Sequence, residues 1–191
     1  ETADARAKSK IIFSNLDVEE WNAEEPYTYD LLITFEDANG NKTFVKNITG
    51  FKTVEIKGNV FYFNDMPIKF KGVNHHDTNM HNGYVLTGEE IKQELELMKT
   101  FNINSIRTSH YPPDPTLLTL ADVMGFYIVD EADIETHGAG DIKTPYDNCI
   151  ISHDLKWEGR YVDRVSRMVC RDRNHPSITM WSLGNEAWGY N

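Results

Sequence analysis

Phe126-Tyr127-Ile128-Val129-Asp130-Glu131-Ala132-Asp133-Ile134-Glu135-Thr136-His137 opens with an unbroken apolar run and closes in acids and a histidine. A strand with no polar alternation is buried on both faces, as in a parallel sheet covered by helices. Its surroundings agree. On the N-terminal side, Asp114-Pro115 reads as an N-cap with Pro at the first helical position, and Gly125 is placed to end that helix. On the C-terminal side, Val162, Val165 and Val169 mark a helix that stops before His175-Pro176. A further apolar strand is expected from Ile178 to Leu183.

The same alternation extends upstream. Thr87-Gly88-Glu89-Glu90 is a capping box, and Ile91, Leu95 and Met98 line one face of the helix it starts. Asn104 to Arg107 is the strand that follows. Four β/α units in sequence imply a parallel sheet, either doubly wound or closed into a barrel. The polar residues favour the barrel, because each strand runs into a cluster: Asn74-His75-His76-Asp77, Ser109-His110-Tyr111, Asp130-Glu131 through Glu135-Thr136-His137, and Asn185-Glu186. Strand ends converge on one mouth in a barrel, where such enzymes build their sites. No phosphate-cradling Gly-rich turn follows the first strand, which weakens a nucleotide-binding alternative.

Before about Gly58 the chain has a different character. Tyr29, Leu31, Ile33 and Phe35 share one strand face, Asn39-Gly40 signals a hairpin, and Phe44-Val45 returns. Phe51 to Ile56 is a further short strand, and Val60–Phe63 with Ile68–Phe70 flank a turn at Asn64-Asp65-Met66-Pro67. The β-segments before Gly58 are too few for a complete sandwich and read as the end of one.

With 19 basic and 30 acidic residues the chain carries a formal charge of −11. That disfavours a nucleic-acid partner, which needs a basic surface, and attraction to an anionic membrane. No stretch reaches the roughly 20 apolar residues of a membrane span. Cys149 and Cys170 alone imply no disulfide framework, and a buried thiol pair is the plain reading. The compartment stays open.

Glu186 ends Trp181-Ser182-Leu183-Gly184-Asn185-Glu186, a strand with hardly any other charge. Desolvation among apolar neighbours favours the protonated carboxyl, which suits a general acid near neutral pH; helix capping is the competing role. Asn185 offers an amide beside it. Glu135 and His137 stand two apart, so on an extended segment they point the same way. With Glu186 they could hold a divalent ion across the mouth, or they could simply hydrogen-bond to each other. His76 and His110 end successive strands and could meet hydroxyls or a metal. Arg107 points into a low-dielectric site and needs an acidic partner, so an ion pair that holds the site is its expected role. Trp181 and Trp188 are candidate stacking surfaces, with core packing favoured for Trp181.

Four of these segments together resemble family 2 glycoside hydrolases: Gly72-Val73-Asn74-His75-His76, Arg107-Thr108-Ser109-His110-Tyr111-Pro112, Asp130 through Gly138, and Asp172-Arg173-Asn174-His175-Pro176-Ser177 leading to Trp181–Glu186. The Ile134-Glu135-Thr136-His137-Gly138 segment is similar to the β-galactosidases in particular. His75 stands where the family usually has Arg or Lys, and Asp77 where Glu is common.

The resemblance implies an α/β fold: residues 58–191 as the first half of a (β/α)8 TIM barrel, preceded in residues 1–57 by the last strands of an immunoglobulin-like β-sandwich. It implies a retaining exo-glycosidase acting on terminal β-D-galactosides. Glu186 would be the acid/base, and Asn185, His76 and His110 would bind the sugar. Glu135, His137 and Glu186 would ligate Mg2+. The nucleophile would be a Glu on a later barrel strand, so the chain by itself is expected to be inactive and to depend on the remainder of a parent chain. Half a barrel has two open sheet edges, which predicts self-association. Three rivals stand beside this reading. They are a β-glucuronidase or β-mannosidase relative, a metal-dependent hydrolase of another barrel family using His75, His76, His110 and His137, and a sugar-binding module.

Overall fold

A computed structural model describes residues 10–139 and 150–187. Near the N-terminus, β1 (Tyr29–Glu36) and β2 (Lys42–Thr49) form an antiparallel hairpin in which Ile33 faces Val45. Its turn is organised by Asp37, whose Oδ1 accepts from the backbone N–H of Asn39 at 2.8 Å and of Asn41 at 2.9 Å, while Gly40 supplies the left-handed φ of 81°. Leu31, Ile33, Phe35 and Val45 share one face of this hairpin and are 37–57% exposed. Among the described residues no layer covers them.

A second antiparallel unit joins β3 (Val54–Lys57), β4 (Val60–Phe63) and β5 (Met66–Pro67). The boundary expected at 57/58 falls in the turn between β3 and β4. The strand expected at Ile68–Phe70 is instead Met66–Pro67, which pairs with Tyr62–Phe63. The reason is local: Asn64 and Asp65 both take positive φ, 48° and 60°, so a two-residue turn closes the hairpin.

Then comes the parallel sheet β6 (Gly72–His75), β7 (Ser105–Thr108), β8 (Tyr127–Glu131) and β9 (Ile178–Ser182), with strand order equal to chain order. Crossover helices α1 (Gly88–Thr100) and α2 (Pro115–Met124) link the first three strands. After β8 come α3 (Ile150–His153) and α4 (Glu158–Asp172). This is the sequential, hydrogen-bonded arrangement of four strands of a TIM barrel.

The sequence signals for helix ends are realised. Thr87 and Glu90 form the reciprocal capping box, Asp114 accepts from the N–H of Thr116, and Gly125 closes α2 with a φ of 78°. Gly125 is irreplaceable for a second reason, since a Cβ there would collide with the Ala23 carbonyl.

Alternation along the strands sorts side chains into two layers. Ile106, Ile128 and Ile178 point outward and meet Ile91 and Leu95 of α1 and Leu117, Leu118 and Ala121 of α2. At the N-terminal end of β8, Tyr127 points the other way, into a group of edge-on rings with Trp21, Phe63 and Phe70. Trp21 is fully buried and its Nε1 donates to the Asp122 carbonyl at 2.7 Å, which ties the N-terminal segment to the sheet. On α4 the buried stripe is Tyr161, Val165, Met168 and Val169, with Asp172 at its end. Val162, expected on that face, is 58% exposed and lies at the edge of the stripe, about 100° round the helix from Tyr161.

Candidate active site

Parity along the strands decides which polar residues reach the mouth. In β7, Ile106 faces the helices, so Arg107 faces inward. In β8, Ile128 faces the helices, so Glu131, three residues on, faces inward beside Arg107. Arg107 finds there the acidic partner it requires: its Nε donates to Glu131 Oε2 at 2.6 Å and its Nη2 to Oε1 at 2.9 Å. The expected ion pair thus exists, with a carboxylate the sequence did not single out. Burial by itself would raise the Glu131 carboxyl. Hydrogen bonds from Ser182, Arg107 and His110 outweigh it and hold the group below the ordinary glutamate range.

From Arg107 the network runs across the mouth. Nη2 also donates to Asn185 Oδ1 at 3.1 Å, and Asn185 Nδ2 donates to Glu135 Oε1 at 2.9 Å. His137 Nδ1 lies 3.4 Å from both Glu135 Oε1 and Glu186 Oε2. One ligand atom from each of Glu135, His137 and Glu186 lies within 4.8 Å of the others, the spacing of a trio that can close on one cation. Two carboxylates and an imidazole are an acceptable donor set for a divalent ion. On the other flank, the rings of His76 and His110 stand edge-on at 5.3 Å, and His76 lies 5.8 Å from Tyr111.

Glu186 departs from the sequence argument in one respect. Its side chain is 52% exposed, so the burial among apolar neighbours assumed for it is not supplied by the described residues. The reason is positional: it follows Gly184, past the end of β9, with a φ of 40°, and β9 is an edge strand of the described sheet. Trp181 is 38% exposed rather than core. It neighbours Ser182, which faces Glu131, so it points to the opposite face and not into the mouth. Trp188 and Cys149 lie outside the described residues, and Cys170 is exposed.

His75 does not join the site either. It follows the inward-facing Asn74, so it turns to the helix side, where its Nε2 lies 2.8 Å from Glu94 Oε2 and its Nδ1 3.6 Å from Asp77. The four-histidine metal site considered from sequence is therefore not assembled, since His75 is committed to Glu94 while His76, just past the end of β6, lies beside His110. His175 is likewise committed, with Nδ1 at 2.6 Å from the buried Asp122. Besides Glu131, sequence reading passed over Asn74, which accepts from Arg107 Nη1 at 3.3 Å, and Ser182.

Comparison with known proteins agrees with this fold. Residues 54–191 match the model of the glycosyl hydrolases family 2 TIM barrel domain. The β-galactosidase of Aeromonas hydrophila is 44% identical over 89% of this chain, and that of Arthrobacter sp. is 44% identical over the same share. Each alignment spans only 16% of the relative's length. Among solved structures, the β-D-glucuronidase of Dictyoglomus thermophilum superposes with a TM-score of 0.77 at 28% identity, covering 85% of this chain and 28% of that one. A Bifidobacterium dentium β-glucuronidase complexed with coumarin-3-O-glucuronide gives 0.77 at 27% identity, covering 88% and 26%. The chain belongs to glycoside hydrolase family 2, and it carries four strands of that family's TIM barrel together with the polar residues at their C-terminal ends.

Proposed function

We propose that this chain forms part of a retaining exo-β-galactosidase, in which Glu186 is the acid/base. The observation that carries the reading is the continuous polar path from His110 through Glu131, Arg107, Asn185 and Glu135 to His137 and Glu186. It links His110 on one flank, which we assign to the sugar hydroxyls, with Glu186 on the other, which we assign to proton transfer. The curated relatives favour a galactoside over the glucuronide suggested by the solved structures, because their identity to this chain is higher.

In the first step, Glu186 gives its proton to the departing glycosidic oxygen as a carboxylate attacks the anomeric carbon from the opposite face. In the second, Glu186 takes a proton from the water that opens the glycosyl-enzyme. A retaining pair stands about 5–5.5 Å apart, and we assign the attacking partner to a later barrel strand. His76 and His110 accept from or donate to galactosyl hydroxyls, and Asn185 turns its amide towards the sugar. Glu135, His137 and Glu186 would hold Mg2+, which places positive charge beside the acid/base when bound.

We assign residues 1–57 to the end of an immunoglobulin-like domain, whose uncovered hairpin face would be covered by the remainder of the parent chain. The discriminating test uses the full-length protein on aryl β-D-galactoside, β-D-glucuronide and β-D-mannoside, with the product anomer followed by NMR. Preference for the galactoside with β product first is expected. Preference for either other sugar, or inversion, would overturn the assignment.

A further inference from the structure

Two of the polar residues proposed to meet the sugar are tied to one carboxylate, His110 directly and Asn185 through Arg107. Glu131 closes β8, and its side chain is wholly buried. Oε2 accepts from Arg107 Nε and, at 2.7 Å, from Ser182 Oγ. Oε1 accepts from Arg107 Nη2 and lies 2.8 Å from His110 Nδ1. Its backbone N–H donates to Thr108 Oγ1 at 3.0 Å, which fixes the end of the strand as well.

We propose that Glu131 is the positioning residue of this site, setting both the tautomer of His110 and the sense of the Asn185 amide. The proposal rests on the glycosidase reading for its functional consequence but not for its geometry. Counting protons leads to it. Arg107 Nη2 carries two, and both are placed, one on Glu131 Oε1 and one on Asn185 Oδ1. None is left for His110, although its Nδ1 lies only 3.3 Å from Nη2. Nδ1 must therefore carry its own proton and donate it to Glu131. In the neutral ring Nε2 is then a bare acceptor, so a sugar hydroxyl that meets His110 there does so as the donor.

The amide follows by the same logic. A guanidinium offers only donors, so the Asn185 atom facing Arg107 is oxygen, and the NH2 is turned to Glu135. One amide proton goes to Glu135, and the other remains for a ligand hydroxyl. Glu131 thus acts through His110 and Arg107 and touches no substrate itself. Orienting partners of this kind are worth about 10–100-fold in metal sites, and we expect a similar scale here.

The test reads the tautomer directly. Long-range 1H–15N correlation on histidine-labelled protein distinguishes the two ring nitrogens, with the His110 signals identified by their loss in His110→Asn. The wild-type ring is expected to be protonated at Nδ1 and bare at Nε2. In Glu131→Gln the side chain cannot accept at both positions, so the ring should move towards the Nε2–H form. The same substitution in the full-length enzyme should lower kcat/KM 10- to 100-fold. A wild-type His110 protonated at Nε2 overturns the proposal even if Glu131→Gln fails to fold. So does a folded Glu131→Gln protein with unchanged tautomer and unchanged kcat/KM. If the parent prefers another glycoside, only the substrate assignment falls, because the tautomer measurement does not depend on it.

Discussion

The hairpin β1–β2 and the strand pair β7–β8 are built from the same kinds of residue and meet opposite fates. Leu32, Ile33, Phe35, Phe44 and Val45 in the hairpin remain substantially exposed, whereas Ile106, Tyr127 and Ile128 in the parallel strands are buried. Strand-forming sequence is common to both. What differs is the second layer, because α1 and α2 follow the parallel strands in the chain and fold back over them, while nothing described here covers the hairpin. A sheet gains most of its stability by burying a face, so the two regions should respond very differently to substitution.

The largest contrast is expected in the core. Leu95→Ala, beneath the sheet on α1, should lower the unfolding free energy by about 2–5 kcal/mol. Phe44→Ala in the hairpin should change it by less than about 0.5 kcal/mol. The same hairpin substitution should instead reduce the self-association we expect of the chain, measured by light scattering at matched concentrations. Urea titrations showing equal losses for the two variants, or a wild-type chain that stays monomeric throughout, would erase the contrast.

A smaller effect concerns charge. Asp130 points to the helix side of β8, where burial first and the neighbouring Asp172 second push its pKa from 3.8 up to about 8. A carboxyl with a raised folded pKa binds its proton more tightly in the folded state. Its contribution to stability is therefore full below about pH 4 and is lost as the pH rises to 8. Asp130→Asn should remove that slope, leaving a protein that gains on wild type between pH 5 and pH 8 in urea unfolding. A wild-type profile as flat as the variant's would contradict this. At the small end, Lys46 pairs with Asp30 at 2.8 Å on the hairpin surface, and Lys46→Ala should leave no measurable change.

The comparison also explains what was legible in the sequence. Local signals survived intact: the Thr87–Glu90 box, the Asp114-Pro115 cap, Gly125 and the apolar run of β8 all depend on neighbours within a few residues. Features set by pairing did not. The two-residue turn at Asn64–Asp65 moved the next strand to Met66–Pro67. The exposure of Val162 and Trp181 depends on which face of a helix or strand meets a partner. Glu131 is the instructive omission. Asp130-Glu131 was visible as a cluster, yet only the register that sets Arg107 beside Val129 shows that Glu131, not Asp130, shares the inward face. The commitment of His75 to Glu94, while His76 stays beside His110, likewise dissolves the four-histidine site.

The claim that Glu186 is the acid/base can be tested most directly through Glu186→Ala in the full-length enzyme. The quantity to measure is kcat/KM for aryl β-galactosides of graded leaving-group pKa, with and without azide. Substrates with poor leaving groups need the proton and should lose rate severely, while those with very acidic leaving groups should be nearly spared in the first step. Azide needs no general base, so it should restore turnover and appear as β-galactosyl azide. An equal loss across the whole series, with no response to azide, would show that Glu186 does not transfer the proton.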